Sequence, residues 1–405
     1  MENIIEKGVL NIGTLGHIDH GKTTLVKAIT HKWTDVHSES VKRNMTIKLG
    51  YADALIRKCD NCKEPEAYTT YDKCKNCDGE AKPVLRISLL DAPGHETLMA
   101  TAIAVANMIH AILFVIAANE PCPMQQTKEH MMIMNVLGIR NVIIVQTKVD
   151  LVGREGAMKH YAQIKEFVKG TVAEKAPIVP VVSSQEANID VLLEMIAKLQ
   201  VQKADPEADP FMYVARSFDI NKPGMDASGI SGGVLGGTIV RGRLRVGDEI
   251  EIRPGVNTSE DQKKEKYEPV ITVIKGINNG SEEITEAYPG GLIGILTEMD
   301  PAFTKADSMV GNVIGHVGKL PPMLSSISMK FTKLKRNDIP ERAITENEPI
   351  ILSIGTATVL GFVVKAKRDN VEVRLKHPVC ADSGTKVAIM RNFSQRWKLS
   401  GYGVI

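Results

Sequence analysis

Four short runs carry residues whose type and spacing suit phosphate and purine chemistry. Gly16-His17-Ile18-Asp19-His20-Gly21-Lys22-Thr23 sets two glycines either side of four residues, then a lysine and a threonine. Such glycines let successive backbone N–H groups wrap an anion. The lysine adds a point positive charge, and the next hydroxyl can ligate a divalent cation. This is the pattern of a loop for the β- and γ-phosphates of a nucleoside triphosphate. Asp19, His20, Gly21, Lys22, Thr23 and Thr24 are its expected phosphate-side residues, with Thr23 on Mg2+. In Asp91-Ala92-Pro93-Gly94 the carboxylate can hold the same ion through water, and the Gly94 N–H can sense the γ-phosphate. In Thr147-Lys148-Val149-Asp150 the carboxylate can accept from both N1–H and the 2-amino group of guanine. Adenine lacks that donor pair, so Asp150 predicts GTP over ATP, and the Lys148 stem can lie over the base. Ser183-Ser184-Gln185 can offer a backbone N–H to guanine O6. The side chains of His17 and His20 are expected to be structural.

A second chemistry lies between the first two runs. Cys59-x2-Cys62 and Cys74-x2-Cys77, 11 residues apart in a Lys-, Asp- and Asn-rich stretch, have the spacing of a tetrahedral four-thiolate zinc site. Four thiolates close the coordination shell, so such a site is structural; the alternative is four unmetallated thiols. Cys122 and Cys380 stand alone and are expected in the core.

These runs need elements to hold them. Val9–Thr14 reads as a strand feeding the glycine loop, and 22–31 as the helix leaving it. Apolar runs at 85–90, 111–117, 142–146 and 178–182 read as strands. Helical patterns at 125–137, 161–169 and 189–199 alternate with them. That order predicts an α/β P-loop domain, a doubly wound, mostly parallel sheet, over 1–203, with the cysteine knuckle (58–82) inserted. The charged, proline-bearing segment 203–210 reads as a linker. Beyond it, short glycine-punctuated strands at 232–240, 249–253, 270–277 and 291–296 predict a β-barrel over 204–325. Runs at 350–354, 371–375 and 386–390 predict a second barrel over 326–405.

Composition narrows the class. The 405 residues carry 43% hydrophobic side chains, enough for several cores. No apolar run is long enough to span a bilayer, and the first residues lack the pattern of a signal peptide, so no membrane role and a cytoplasmic location are expected. Net charge is +2, which does not argue for nucleic acid over the whole chain. From Lys330 to Ile405, however, 14 Lys and Arg stand against 7 Asp and Glu, which suits either an RNA-facing surface or a solvated basic one. Aromatics at 4% make base stacking a minor mode.

Together these runs resemble the translational GTPases, and most closely the gamma subunits of translation initiation factor 2. The resemblance spans essentially the whole chain. It is carried by Gly16–Thr23, 43–52 (Arg-Asn-Met-Thr-Ile-Lys-Leu-Gly-Tyr-Ala), Asp91–His95 and 216–224, then by 289–294, 309–311, His377–Cys380 and 396–403. It implies that Thr46 completes Mg2+ coordination in the GTP state, that Asp19 helps hold the metal, and that His95 orients the attacking water. Ile18 and Met45 would fence that histidine. It also implies a partner set: initiator methionyl-tRNA, alpha and beta subunits, the small ribosomal subunit, and activating and exchange factors. GTP would order the loops at Thr46 and Gly94, closing the α/β domain on the second to hold the tRNA end. Hydrolysis to GDP, slow without an activating protein, would release it. Two positions depart from the family pattern: Thr147 replaces the usual Asn, and Ser184 the usual Ala. The competing expectations are an elongation-type carrier such as the selenocysteine factor, a non-hydrolysing GTP-bound scaffold, and a P-loop ATPase, which Asp150 disfavours.

Overall fold

The computed structural model describes residues 9–34, 50–91, 103, 107–201, 204–222, 224, 226, 229–259, 265–280, 282–334, 336 and 338–405. They fall into two compact units, Met1–Lys203 and Ala204–Ile405. Among the described residues no helix is long and apolar enough to cross a membrane.

In the first unit, β1 (Leu10–Gly16), β2 (Gly50–Cys59), β3 (Tyr68–Thr69), β4 (Ala81–Asp91), β5 (Ala111–Ala117), β6 (Val142–Thr147) and β7 (Ile178–Val181) form one sheet. Its order is β3-β2-β4-β1-β5-β6-β7. The pairs β4–β1, β1–β5, β5–β6 and β6–β7 are parallel. Helices α1 (Lys22–Thr30), α2 (Gln125–Leu137), α3 (Gly153–Val168) and α4 (Ile189–Ala197) connect and flank these strands. β1, β5 and β6 are buried along their whole length, as their unbroken apolar runs require. Leu25, Val26 and Ile29 of α1 and Leu192, Leu193 and Ile196 of α4 enter one core with Leu113, Val115 and Val145. This packing anchors the C-terminal ends of β1, β4 and β6, where the chemistry-bearing runs emerge.

Sequence and structure differ at two places here. β2 and β3 were not expected; both are antiparallel additions, β2 on β4 and β3 on β2. They escape a pattern search because β2 mixes Asp53, Arg57 and Lys58 with apolar residues and is mostly half-buried. α3 begins at Gly153 rather than 161. Only His160, Ile164 and Val168 of α3 are buried, so its apolar stripe is thin.

In the second unit, β8 (Phe211–Phe218), β9 (Val234–Arg241), β10 (Leu244–Arg245), β11 (Glu249–Asn257), β12 (Tyr267–Asn278), β13 (Glu283–Ile284), β14 (Glu286–Ala287), β15 (Ile293–Thr297) and β16 (Val313–His316) come first. The sheet order is β11-β16-β8-β9-β15-β12-β13, and β11 also pairs with β12, which closes a barrel around Met212, Val214, Leu235, Ile250 and Ile274. β17 (Met323–Lys330), β18 (Thr332–Lys333), β19 (Pro349–Ile354), β20 (Ala357–Lys367), β21 (Asn370–Cys380), β22 (Lys386–Phe393) and β23 (Arg396–Val404) follow. Their order is β17-β21-β20-β19-β22-β23-β18, so the two ends of the sheet are joined by the single residue between β17 and β18. Inside the turn of this second barrel Arg391 grips Glu348, Nε to Oε1 at 2.7 Å and Nη2 to Oε2 at 2.9 Å, with both side chains buried. Phe211, Val313, Leu320 and Cys380 form an apolar seam within this unit. Cys380 is thus a core residue, whereas Cys122 is only half-buried.

Candidate nucleotide site and cysteine cluster

β1 delivers the glycine loop and α1 carries it away. Gly16, with φ 153°, passes so near β5 that a Cβ would lie 2.2 Å from the Val115 carbonyl oxygen. Gly21, at φ 87°, is the N-cap of α1. No side chain can replace the first, which explains why glycine bounds the loop there. Lys22 is buried, and its Nζ donates to the carbonyls of Gly16 (3.1 Å) and His17 (2.7 Å), bridging the loop from inside. Burial pulls its pKa down to about 8, against the opposing pull of Asp91 and Asp19. Asp19 is exposed, with φ 60°, while Thr24 is half-buried on the first turn of α1.

Asp91, at the end of β4, is fully buried and accepts three hydroxyl bonds, from Thr23 (2.6 Å), Thr14 (2.8 Å) and Thr34 (3.3 Å). Burial raises its pKa, with the Thr23 bond as the largest opposing effect. The Thr23 hydroxyl and the Asp91 carboxylate, 68 residues apart in sequence, therefore form one hard-oxygen pair beside Lys22. That donor set fits Mg2+, which takes few carboxylates and keeps its waters.

At the end of β6, Thr147 Oγ1 donates to the His20 carbonyl at 2.7 Å, joining β6 to the glycine loop. Lys148 stands at φ 57° and starts a 3-10 turn, Val149–Leu151, which leaves Asp150 exposed. The turn Ser183–Gln185 follows β7. Ser183 Oγ and His17 Nδ1 are buried without a hydrogen-bond partner, and both lie on the loops that border the site. Orphaned polar atoms in such loops fit a polar ligand. Ser184 and Gln185 are exposed.

His20 turns its ring into the sheet, with Nδ1 3.1 Å from the Val115 carbonyl. Burial lowers its pKa to about 4, so the ring is neutral at pH 7 and its pairing with Glu120 (3.2 Å) becomes ionic only on protonation. Whatever His20 offers a ligand comes from its backbone. Thr46, Gly94 and His95, together with Met45, lie outside the described residues.

Two residues that sequence reasoning missed support the loop from α2. Gly16 N–H donates to His130 Nδ1 (3.0 Å), and Ile18 N–H to Gln126 Oε1 (3.1 Å). Burial lowers His130 to about 3, which keeps Nδ1 an acceptor. The available signal was polar: Gln126, Thr127, Glu129 and His130 lie on the buried face of α2, beside Met131, Ile133 and Met134.

The four expected cysteines meet. All of their Sγ atoms lie within 4.8 Å of one another, with Cys59–Cys77 at 3.5 Å and Cys62–Cys74 at 3.6 Å. A tetrahedral zinc with Zn–S of ~2.3 Å sets sulfurs ~3.8 Å apart, so the cluster fits this ion. Gly79 adjoins it: a Cβ there would come 3.2 Å from Cys77 Sγ.

Comparison with known proteins agrees with this geometry. Residues 7–201 match the model of the elongation factor Tu GTP binding domain, 232–315 that of elongation factor Tu domain 2, and 326–405 that of initiation factor eIF2 gamma, C terminal. Translation initiation factor 2 subunit gamma of Methanothermobacter thermautotrophicus is 49% identical over 402 residues, 98% of each chain. That of Pyrococcus horikoshii is also 49% identical, over 98% of this chain and 97% of its own. Among solved structures, a bacterial selenocysteine-specific elongation factor aligns with TM-score 0.74 at 23% identity, over 98% of this chain and 58% of its own. Elongation factor SelB of Methanococcus maripaludis, in complex with the GTP analogue GPPNHP, aligns with TM-score 0.72 at 23% identity, over 98% and 79%. At that identity the likeness is one of fold.

Proposed function

The chain belongs to the family of translation initiation factor 2 gamma subunits, which are translational GTPases, and from this premise we propose that it carries initiator methionyl-tRNA to the small ribosomal subunit under GTP control. In this reading three domains, 1–203, 204–325 and 326–405, act in the cytoplasm with alpha and beta subunits and with activating and exchange factors.

The glycine loop wraps the phosphates with backbone N–H groups from Asp19 to Thr24, and Lys22 neutralises the β- and γ-oxygens. Thr23, Thr46, Asp91 and Asp19 would hold Mg2+, which would supply charge neutralisation at those oxygens. Asp150 accepts from guanine N1–H and the 2-amino group, Lys148 covers the base, and Ser183–Gln185 present a backbone N–H to O6. His95 orients the water that attacks the γ-phosphorus. Thr46 and Gly94 sense that phosphate, so its loss frees both loops and lowers tRNA affinity. The observation that carries this reading is the convergence of distant segments: Thr23 on Asp91 at 2.6 Å and Thr147 on the His20 carbonyl at 2.7 Å. These bonds tie Asp91 and β6 to one glycine loop, which supports reading the two runs as its metal side and base side. The basic balance beyond Lys330 supports an RNA partner.

Two measurements test it. Asp150→Asn should move preference from guanosine toward xanthosine triphosphate by at least an order of magnitude in competition with labelled GDP. Wild-type protein should retain methionyl-initiator tRNA over elongator tRNAs in filter binding, more strongly with GTP than with GDP. Equal affinity for ATP and GTP would refute the nucleotide assignment; indifference to the tRNA or to the nucleotide state would refute the carrier role.

A further inference from the structure

The cysteine knuckle touches more than its own cluster. Lys75, between Cys74 and Cys77, donates to Glu186 Oε2, and its ammonium lies 4.6 Å from the centre of the Tyr71 ring. The Tyr71 hydroxyl reaches the same carboxylate at 3.1 and 3.2 Å. Glu186 is the residue immediately after Ser183–Gln185, held at φ 53° where the chain reverses, and the Val182–Ala187 bridge closes that reversal. The other side of the knuckle meets the end of the phosphate helix. Tyr71 stacks on His31, the C-cap of α1, at 4.2 Å, and Thr70 Oγ1 lies 2.9 Å from His31 Nε2. Glu64 binds Lys198, just beyond α4, at 2.6 Å.

One short insertion is thus fastened to the helix that leaves the phosphates and to the turn beside the base. The cluster fixes the insertion at its root: Cys74 N–H donates to the Gly79 carbonyl (2.8 Å) and Asp78 N–H to that of Cys74 (3.0 Å), so Lys75 rides on the metal-binding turn. A cleft of about 280 Å³ lies under Tyr71, Lys75 and Glu186, so the tie is made at points and not by broad packing. Glu186 is more enclosed than Lys75, at 29% against 50% side-chain exposure. Loss of one partner therefore removes a tie on the turn.

We propose that the four-cysteine knuckle is a brace for the base-reading turn, in which Lys75 and Tyr71 are positioning residues that hold Glu186, so that occupancy of the metal site sets how long guanine nucleotide stays bound. This rests on the reading of Ser183–Gln185 as the turn that meets the guanine base.

The test follows dissociation of fluorescently labelled GDP from the full chain by stopped flow, with zinc content measured in each sample. Lys75→Glu and Glu186→Lys should each raise the dissociation rate about two- to fivefold, the size of a partly screened charge contact. The double exchange, Lys75→Glu with Glu186→Lys, should restore it. Tyr71→Phe, which keeps the ring and removes the hydroxyl, should give a smaller rise in the same direction. Stripping zinc with a chelator should raise the wild-type rate to that of Lys75→Glu, return of zinc chloride should reverse this, and Glu186→Lys should gain nothing further on stripping. Unchanged rates in the single variants, a double exchange that fails to restore them, or an undiminished effect of stripping in Glu186→Lys would each overturn the brace. Failure of Asp150→Asn to alter base preference would instead undercut the base-side assignment, so the two failures are separable.

Discussion

Thr147 occupies the position where the related guanine motif has asparagine, and its hydroxyl does a task an amide can also do: it donates to the His20 carbonyl. In this chain, therefore, the departing residue still ties β6 to the glycine loop. Thr147→Ala leaves that carbonyl without its donor and should speed GDP dissociation by roughly two- to tenfold, the worth of one neutral hydrogen bond. Thr147→Asn should stay near the wild-type rate. A tenfold loss in the asparagine variant, with none in alanine, would show that Thr147 acts through shape instead. The candidate residue types and spacings were legible because such chemistry would restrict them narrowly: Thr23 meets Asp91, and, apart from them, the four cysteines gather into one cluster. The ties among them were less legible, since a threonine hydroxyl finds its carbonyl only once β1 and β6 lie in one sheet.

At the scale of elements, strands buried on both faces were readable from their apolar runs alone. The antiparallel strands at the margin of the sheet were not: β2 follows neither a strict alternation nor a continuous apolar run, and half of its residues are only partly buried. The buried face of α2 was also missed. Its polar residues look like a solvated stripe until Gly16 and Ile18 are seen to need acceptors for their N–H groups. This makes a prediction about the helix. His130→Leu keeps similar bulk but leaves the Gly16 N–H unpaired in a buried place, which should cost ~1–3 kcal/mol of stability in urea titration and weaken GDP binding. The same variant should lose stability less steeply as the pH falls, since it no longer carries a histidine that only the unfolded chain can protonate. Unaltered urea midpoint and pH slope would mean that α2 supports the loop through apolar packing alone.

Across the molecule, the two units store their acid sensitivity in different groups. In the first, His20 and His130 are held neutral by burial, with pKa values near 4 and 3 against 6.5 for the free side chain. The unfolded chain takes up these protons near pH 6.5 and the folded chain does not, so stability falls as the pH drops below that point. Each histidine contributes up to about 1.4 kcal/mol per pH unit until its own folded pKa is reached. In the second unit Glu348 is a buried carboxylate whose pKa is shifted. Burial opposes its ionisation, but bonds from Arg391, the Thr345 N–H and Arg342 prevail and hold its pKa below 4.5. A depressed carboxylate acts in the other window: its stabilisation is complete above the unfolded value near 4.5 and is lost only as the pH falls through the folded one. The first unit should therefore open between pH 6 and pH 4, and the second only below that. Amide hydrogen exchange read by mass spectrometry can follow β5 (Ala111–Ala117) and β20 (Ala357–Lys367) separately on one acid titration. Loss of protection in β5 at a higher pH than in β20 is the expected order. A single shared transition, or earlier exposure of β20, would place the acid-labile group elsewhere. Glu348→Gln supplies the complementary arm. It should destabilise the second unit by ~3–5 kcal/mol at pH 7, through the unpaired Arg391 charge, while leaving the midpoint of β5 unmoved.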